Sequence, residues 1–399
     1  MFSSDTYSEH LSFKEISHRR ILVVEDIKTL RHLIELILKK AGFDQIILAE
    51  NGQEAMYQIV KNPPDLIILD LMMPIMGGME VCSLVRKVKS TASIPIIVQT
   101  AMNDKEERLK AFSVGASDLI TKPVDAHELV IRTKLHLKNL VLSERQEQYR
   151  RRVTDELSTA KDVQQSLLPS VDLITEIQNK TKLNVSSFFQ PSSELGGDFW
   201  GTRLMEDGQV GFYMADFSGH GVVSALNTIR LHTLLFNVKE AWLTPDLLLS
   251  SINKNLCEML PTGQYATMLM GVISPQSKQL HYTAAAAPPP IVGSWANLKN
   301  YEYLDTTGVP LGVSKSTTYE INTIDFTEDN FLFCFSDALV ETKLHNKKML
   351  DDEELISLIK TFSVKAPNPN LLNQVVATFF ERIDEPIQDD LTVLSFDYL

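Results

Sequence analysis

Apolar residues in the first third of the chain form short β-rich runs that alternate with longer amphipathic stretches. The predicted strands are ILVV at 21–24, QIILA at 45–49, DLIIL at 65–69, IPIIVQ at 94–99 and a weaker DLI at 118–120. Helical periodicity fills the intervals, at 28–41, 52–61, 79–89, 104–114 and from 125 onward. This alternation predicts an α/β unit with a five-stranded, doubly wound parallel sheet, whose site lies beyond the carboxyl ends of the strands. Residues 1–19 precede it and are expected to form a loose polar arm.

From about residue 123 to residue 168 the pattern becomes one uninterrupted helical repeat that Pro169 ends. Apolar residues recur at spacings of three, four and seven, namely Leu135, Leu142, Tyr149, Val153, Leu157, Ala160, Val163 and Leu167. The repeat predicts a long helix with a seam suited to a coiled coil between two copies of the chain. The alternative is a single helix that lies on the following domain. The arginines at 150–152 are interpreted as a solvated face rather than a nucleic-acid contact.

After a polar stretch at 170–181, to which no element is assigned, runs of alternating residues predict a second domain. Its predicted strands are KLNVSSFFQ, FWGTRL, VGFYMA, YATMLMGVI, KQLHYTA, YEINTIDF, FLFCFS and LTVLSF. Helical patterns lie at 221–238, 245–260, 351–363 and 369–382. Blocks of strands separated by long helices predict an α+β sandwich, in which helices flank two antiparallel sheets.

Composition and charge narrow the class of protein. The 399 residues allow two or three domains, and a formal net charge of -13 argues against binding to nucleic acid or to an anionic membrane. No apolar run approaches the length of a membrane span, and the opening residues do not resemble a signal peptide. Cys82, Cys257 and Cys334 lie far apart in apolar contexts, which predicts free thiols and a cytoplasmic location.

Polar residues follow the predicted parallel strands where their carboxyl ends meet. Glu25 and Asp26 follow the first strand, Asp70 the third and Thr100 the fourth, and Lys122 follows the fifth. Over roughly residues 19–138 these positions resemble a response-regulator receiver domain. The resemblance implies that Asp70 accepts a phosphoryl group, that Thr100 and Lys122 bind its oxygens, and that Mg²⁺ is held by Glu25, Asp26, Asp70 and the Met72 carbonyl. The chain departs from the family at Leu119, where many receivers carry a switching aromatic residue.

Carboxylates also end apolar runs or lie in glycine-rich turns of the second half. They are Asp216 before SGHG, Asp198 in ELGGDFW, Asp337 in FLFCFSDAL, and Asp389 with Asp390 before LTVLSF. Acids that a fold brings together repel one another, and bound divalent cations relieve this repulsion.

Residues 157–399 resemble the metal-dependent serine/threonine protein phosphatases, in particular the bacterial sporulation and stress-response branch. The motifs are ELSTAKDVQQSLLP, FFQPSSELGGDFW, MADFSGHGVVSAL, FSDALVET and DDLTV. The resemblance implies that Asp216 bridges two Mn²⁺ or Mg²⁺ ions with help from the Phe217 carbonyl, and that Asp198, Asp337 and Asp389 complete the catalytic site. His220 is either a proton donor or a helix-cap contact. Two departures are Ala285-Ala286-Ala287, where the family has Ala-Gly-His, and Ala338, where it has glycine.

These inferences divide the chain into an arm (1–19), a receiver core (20–123), a helical linker (124–168) and a phosphatase domain (169–399). The expected function is a response regulator whose phosphorylation controls a phosphoserine/phosphothreonine phosphatase. A sensor histidine kinase or phosphotransfer protein is the implied donor, and family analogy makes a phosphorylated anti-sigma-factor antagonist the implied substrate. The linker helix is expected to form a homodimer. The alternative is a non-catalytic adaptor that binds a sigma factor or other regulator, and the retention of all four acids favours catalysis.

Overall fold

The computed structural model describes residues 12–101, 105–219, 221–236, 238, 240–295, 301–345, 348–362, 368–384 and 386–398. The chain divides into two compact units, Met1–Val153 and Thr154–Leu399. None of the described helices is long and apolar enough to cross a membrane.

The first unit contains one parallel sheet with the strand order β2-β1-β3-β4-β5. Its strands are β1 (Ile21–Val24), β2 (Ile46–Ala49), β3 (Leu66–Asp70), β4 (Ile96–Thr100) and β5 (Asp118–Thr121). The helices between them are α2 (Lys28–Lys40), α3 (Gly52–Lys61), α4 (Gly78–Lys87) and α5 (Lys105–Ser113). Alternate residues of β4 point to opposite faces of the sheet: Ile96 and Val98 pack in one apolar cluster, and Ile97 packs in another. The predicted doubly wound sheet is confirmed.

The prediction of a loose arm is wrong for residues 13–17, which form the short helix α1 (Phe13–Ser17). Ser12 caps this helix by accepting a hydrogen bond from the Lys14 amide, and Ile16 is fully buried. The Phe13 ring meets the Phe43 ring edge-on, with the centroids 5.4 Å apart. A single helical turn is too short to show periodicity, so the prediction missed it.

The predicted long helix is present as α6 (Ala126–Ser166), with 41 residues. At a rise of about 1.5 Å per residue it is roughly 60 Å long. Leu129 and Leu137 are buried in the first unit, whereas Leu135, Leu142 and Tyr149 of the predicted seam are exposed. The boundary between the two units falls within this helix, after Val153.

The second unit contains two antiparallel five-stranded sheets, ordered β13-β10-β9-β8-β7 and β12-β11-β14-β15-β6. The strands of the first sheet are β7 (Asp198–Leu204), β8 (Val210–Phe217), β9 (Ala266–Ser274), β10 (Gln279–Ala285) and β13 (Asn322–Asp325). Those of the second are β6 (Leu183–Gln190), β11 (Ile291–Ser294), β12 (Tyr301–Tyr303), β14 (Asn330–Phe335) and β15 (Leu391–Tyr398). The helices are α7 (Val171–Thr181), α8 (Val222–Phe236), α9 (Pro245–Met259), α10 (Ala338–Glu341), α11 (Asp352–Phe362) and α12 (Leu371–Glu381), with a 3₁₀ turn at Glu240–Leu243.

The two sheets of the second unit face each other across an apolar core. Phe212 of β8 and Phe396 of β15 meet there, with their ring centroids 4.5 Å apart. Helices α8 and α9 cover the outer face of one sheet, and α11 and α12 cover the outer face of the other. The predicted sandwich is confirmed, but the stretch at 170–181 is not irregular, because it forms helix α7 with Ser170 as its cap. The short strands β11 and β12 were also missed.

Candidate functional site

The sheet edge of the first unit gathers the acids that the sequence predicted. One ligand atom from each of Glu25, Asp26 and Asp70 lies within 4.8 Å of the others. The Lys122 ammonium donates to this group, with its Nζ 2.8 Å from Glu25 Oε2 and 2.7 Å from Asp70 Oδ2. Since β1, β3 and β5 are parallel members of one sheet, their carboxyl ends bring these residues to one place.

The chemistry of this cluster fits a Mg²⁺ site. Burial raises the pKa of Glu25, although the hydrogen bond from Lys122 opposes that shift. Glu25 Oε1 is buried and has no hydrogen-bond partner among the described residues. Burial alone would lower the pKa of Lys122, but its bonds to Asp70 and Glu25 outweigh burial and raise it. A hard divalent cation would give the unpaired carboxylate oxygen a partner.

The other residues predicted for this site lie around the cluster. Thr100 is buried at the end of β4, and its carbonyl accepts a hydrogen bond of 2.8 Å from the Lys122 amide. Met72 is exposed, and its amide is 3.4 Å from Asp70 Oδ1. Leu119 is buried in the apolar cluster on one face of the sheet. An aliphatic core residue therefore occupies the position at which many receivers have a mobile aromatic ring.

The four acids of the second unit stand at the ends of strands. Asp198 begins β7 and Asp216 lies near the end of β8, and the antiparallel register pairs them directly. Asp337 follows β14 and is the N-cap residue of α10, and Asp389 lies two residues before β15. Strands from both sheets thus deliver carboxylates to one end of the sandwich.

A cleft of about 320 Å³ contains Asp198, Asp216 and Asp337. A second cavity of about 430 Å³ is lined by Asp337 and Asp389. Asp337 borders both spaces, and Glu341 of α10, which the sequence reasoning did not select, also lines both. The structure therefore brings the four predicted acids into one region.

The electrostatics of this region are those of crowded anions. Burial raises the pKa of Asp216 to about 7, and the charges of Asp337 and Asp389 add to the shift. Burial, the Asp389 charge and the Glu341 charge raise the pKa of Asp337 to about 6. The pKa of Asp198 is raised well above its usual value by burial first and by Asp216 second. Each carboxylate opposes ionisation of its neighbours, so the cleft fits positively charged ligands.

The two acidic clusters differ in how tightly they are gathered. In the part of the chain that the structure describes, only Glu25, Asp26 and Asp70 form a trio with ligand atoms mutually within 4.8 Å. In the second unit, Asp198 and Asp216 line the first cleft, Asp389 lines the second cavity and Asp337 lines both. Acids divided in this way suit ligands that are shared between two ions.

Asp390 has a structural role that its neighbour Asp389 does not share. It is buried, and its Oδ1 accepts hydrogen bonds from the Ser192 amide at 2.6 Å and the Ser192 hydroxyl at 3.0 Å. Its Oδ2 accepts from the Gly197 amide and, at 3.4 Å, from the Asp198 amide. Asp390 thus fixes the loop that leads to Asp198, whereas Asp389 is exposed. Two adjacent aspartates look alike in the sequence, so no pattern separates these roles.

Glycine is required beside Asp198 because other backbone segments approach it. A Cβ atom on Gly197 would lie 2.9 Å from the Phe217 carbonyl oxygen and 3.0 Å from that of Gly219. The Phe217 amide in turn donates to the Gly197 carbonyl at 3.2 Å. Phe217, whose carbonyl the resemblance assigns to a metal, is therefore held against the Asp198 loop.

The departures from the family pattern lie at the wall of the cleft. Ala286 and Ala287 both line it, and Ala286 has a φ of +55°, in the left-handed region that favours glycine. Ala287 is buried and belongs to the apolar core cluster, whereas the family has an imidazole at this position. Ala338 is likewise buried. His220 lies outside the described residues.

Comparison with known proteins agrees with this geometry. The model of the response regulator receiver domain matches residues 21–134, and that of stage II sporulation protein E (SpoIIE) matches residues 206–398. The chain therefore joins an N-terminal response regulator receiver domain to a C-terminal SpoIIE-type PP2C phosphatase domain.

Three solved structures illustrate the similarity. The SiaA PP2C domain of Pseudomonas aeruginosa is 19% identical, with a TM-score of 0.55, and the match covers 63% of this chain and 98% of that one. The RsbU and RsbW domains of Rv1364c from Mycobacterium tuberculosis are 20% identical, with 54% and 59% covered and a TM-score of 0.48. A Chloroflexus aurantiacus protein assigned as a response regulator is 36% identical, with 30% and 98% covered and a TM-score of 0.29.

Proposed function

We propose that phosphorylation of Asp70 controls a metal-dependent phosphatase that removes phosphate from serine or threonine of a partner protein. The observation that carries the catalytic half is the gathering of Asp198, Asp216, Asp337 and Asp389 at one end of the sandwich, three of them with raised pKa values. An acid cluster that destabilises its own ionised form is suited to binding cations.

In the receiver domain, a carboxylate oxygen of Asp70 attacks the phosphorus of a donor. A bond forms between this oxygen and phosphorus, and the bond from phosphorus to the donor breaks. The Lys122 ammonium is 2.7 Å from Asp70 Oδ2 and can donate hydrogen bonds to the phosphoryl oxygens once Asp70 is phosphorylated. Thr100 supplies a hydroxyl at the same edge. Glu25, Asp26, Asp70 and the Met72 carbonyl would hold Mg²⁺, which neutralises phosphoryl charge when bound.

In the phosphatase domain, Asp216, with the Phe217 carbonyl, and Asp198, Asp337 and Asp389 would hold two Mn²⁺ or Mg²⁺ ions. When bound, such ions would lower the pKa of a water molecule and would offset charge on the phosphoryl group. The protein orients this set through Thr392, whose hydroxyl donates to Asp198 Oδ2 at 2.6 Å, and through Asp390, which fixes the preceding loop. The apolar wall at Ala287 and Pro288 leaves room for a phosphorylated side chain.

The proposed substrate is a phosphorylated anti-sigma-factor antagonist, so that the protein would regulate a partner-switching circuit. Similarity to SpoIIE and to a structure that contains an RsbU domain supports this substrate class. A sensor histidine kinase or a phosphotransfer protein is the proposed donor for Asp70. The exposed apolar residues Leu135, Leu142 and Tyr149 recur every seven positions on α6, which supports a homodimer through this helix.

Hydrolysis of p-nitrophenyl phosphate tests the catalytic half. Mn²⁺-dependent turnover is expected of the full chain and is expected to disappear in Asp216→Asn. The matched control is Asp207→Asn, which changes an exposed aspartate in the turn before β8. Wild-type turnover by Asp216→Asn at saturating Mn²⁺ would refute the assignment, and an inactive wild-type chain would favour the non-catalytic adaptor.

Labelling with acetyl phosphate tests the receiver half. The chain is expected to take up a base-labile phosphoryl group in the presence of Mg²⁺, and Asp70→Asn is expected to take up none. Wild-type protein with chelator is the control. Equal labelling of the Asp70→Asn variant would show that another residue is the acceptor.

A further inference from the structure

Helices α7 and α8 of the second unit border a cleft that is mostly apolar. Its volume is about 390 Å³, which lies within the range of about 300–1,000 Å³ that is typical of small-molecule sites. Leu173 of α7, Leu204 of β7, Leu235 of α8 and Trp242 supply apolar walls. Among the described residues, none lines both this apolar cleft and the acidic cleft. The apolar cleft is therefore separate from the proposed metal site.

A buried hydroxyl without a hydrogen-bond partner belongs to the lining of the apolar cleft. Tyr213 of β8 is 3% exposed, and its ring contacts the Trp242 ring with the centroids 6.0 Å apart. None of the residues that the structure describes forms a hydrogen bond with the Tyr213 hydroxyl. Burial raises the pKa of Tyr213, so the hydroxyl stays protonated at neutral pH and can donate. Because an unpaired buried hydroxyl is unfavourable, a ligand oxygen that accepts from it would be stabilised there.

The position of this hydroxyl depends on a glycine in the neighbouring strand. Gly201 of β7 pairs directly with Tyr213 of β8. A Cβ atom on Gly201 would lie 2.8 Å from the Tyr213 hydroxyl oxygen and 2.5 Å from a carbon of its ring, so the Tyr213 side chain lies across β7. Gly201 also lines the apolar cleft, which places the Tyr213 hydroxyl at the cleft floor.

Two further polar side chains line the apolar cleft. Arg203 follows Gly201 by two residues and therefore lies on the same face of β7. It is half-buried and forms no ion pair or hydrogen bond with any described residue. His232 of α8 packs edge-on against Phe199, with the centroids 5.7 Å apart. Burial lowers the pKa of His232, so its ring is neutral at pH 7 and offers one N–H donor.

We propose that the apolar cleft binds a small carboxylic acid with an apolar body, and that Arg203 and Tyr213 hold its carboxylate. A guanidinium forms two parallel hydrogen bonds with a carboxylate, and the phenol donates a third. The apolar walls remove the body of the ligand from water. Arg203 is the single Lys or Arg among the described residues of the lining, which suits one negative charge better than the several charges of a nucleotide.

The test measures binding of decanoate to the full chain by isothermal titration calorimetry. The wild-type protein is expected to bind one equivalent. Arg203→Gln is expected to raise the dissociation constant roughly tenfold, and Tyr213→Phe is expected to raise it by about threefold. Arg230→Gln is the matched control, because Arg230 is an exposed arginine of α8 outside the lining, and its affinity is expected to equal that of wild type.

Decanol separates recognition of the charge from burial of the chain. It has the same apolar body and no charge, so wild type and Arg203→Gln are expected to bind it equally. Tyr213→Phe keeps the aromatic ring and breaks no hydrogen bond to the described residues, so it tests the site even if Arg203→Gln fails to fold.

Three results would overturn the proposal. They are the absence of decanoate binding to the wild-type protein, equal decanoate affinities of wild type and both cleft variants, and a decanoate affinity that increases when the protein is diluted. The last result would show that a second copy of the chain covers the apolar cleft.

Discussion

The adjacent residues Asp389 and Asp390 are expected to give opposite results when each is changed to asparagine. Asp389 is exposed, and its Oδ1 accepts a hydrogen bond of 2.8 Å from the Asp390 amide, which an asparagine oxygen can also accept. Asp389→Asn is therefore expected to leave the free energy of unfolding within about 0.5 kcal/mol of wild type. Its phosphatase turnover is expected to disappear, because one of the four proposed metal-binding carboxylates is gone.

Asp390→Asn is expected to destabilise the phosphatase domain. An asparagine has one oxygen, which can serve the two Ser192 donors, and its amide then faces the donors of Gly197 and Asp198. Hydrogen bonds to charged groups contribute about 1.5–3 kcal/mol each, and the long bond from Asp198 contributes little of that. Loss of one negative charge from the acidic region offsets part of the effect. We expect a net loss of about 2 kcal/mol, which lowers Tm by about 4–8 °C in a domain of this size.

Tryptophan fluorescence suits this measurement, since all three tryptophans of the chain lie in the second unit. Trp200, Trp242 and Trp295 are all buried there, so their emission reports unfolding of the phosphatase domain alone. Melting in the presence of chelator removes any contribution from metal. Equal Tm values for Asp390→Asn and wild type, or an equal fall in Asp389→Asn, would refute the division of roles between the two acids.

Three further predictions concern the linker, the cleft wall and pH. A seven-residue insertion near Glu147 turns α6 by only about 20° and is expected to preserve the control of turnover by acetyl phosphate. A two-residue insertion turns the helix by roughly 200° and is expected to abolish that control. Equal regulation of both proteins would show that the helix is a passive tether. Ala286→Gly removes the steric strain of an alanine in the left-handed region, at φ +55°, and is expected to raise the free energy of urea unfolding by about 0.5–1 kcal/mol. The control Ala284→Gly lies within β10 and is expected to lower that free energy. Because the pKa of Asp216 is raised to about 7, the stability that this group contributes to the metal-free protein is fully present below about pH 4 and is lost as pH rises through 7. In the presence of chelator, the urea concentration at the unfolding midpoint should therefore decrease as pH is raised from 5 to 8. A midpoint that does not change with pH would contradict this prediction.

The placement of side chains at strand ends was the part of this protein that its sequence predicted well. An apolar run that ends in an acid, as at Asp70 and Asp216, gives both the strand and the position of the side chain at the edge of the sheet. Parallel strands then place the residues at the carboxyl ends of β1, β3, β4 and β5 along one edge of the sheet. The four acids of the second unit needed the resemblance as well, because strand order in an antiparallel sandwich does not follow from periodicity.

What the sequence did not predict depends on contacts between distant segments. Helix α7 was missed because its apolar residues, among them the buried Ile177, are interspersed with polar ones in a stretch of only 11 residues. The role of Asp390 follows from amides that lie about 190 residues earlier in the chain, and the buried Gln164 donates a hydrogen bond to the carbonyl of a glycine 32 residues later. Each of these two buried side chains has an exposed neighbour of the same residue type. Only burial in the folded protein distinguishes the buried residue from that neighbour.

The pairing of β6 with β15 has a consequence for the synthesis of this protein. In the described part of its sheet, β6 has β15 as its single neighbour, and Asn184 and Asp397 of this pair are 213 residues apart. At about 5–20 residues per second, a ribosome needs roughly 10–40 s to proceed from one strand to the other. During that interval β6 has no partner strand, although Asp198, Asp216 and Asp337 have already been made. A nascent chain therefore holds most of the proposed metal-binding acids before the second sheet is complete. Incomplete products of translation would thus lack the proposed phosphatase activity, which would require a finished domain.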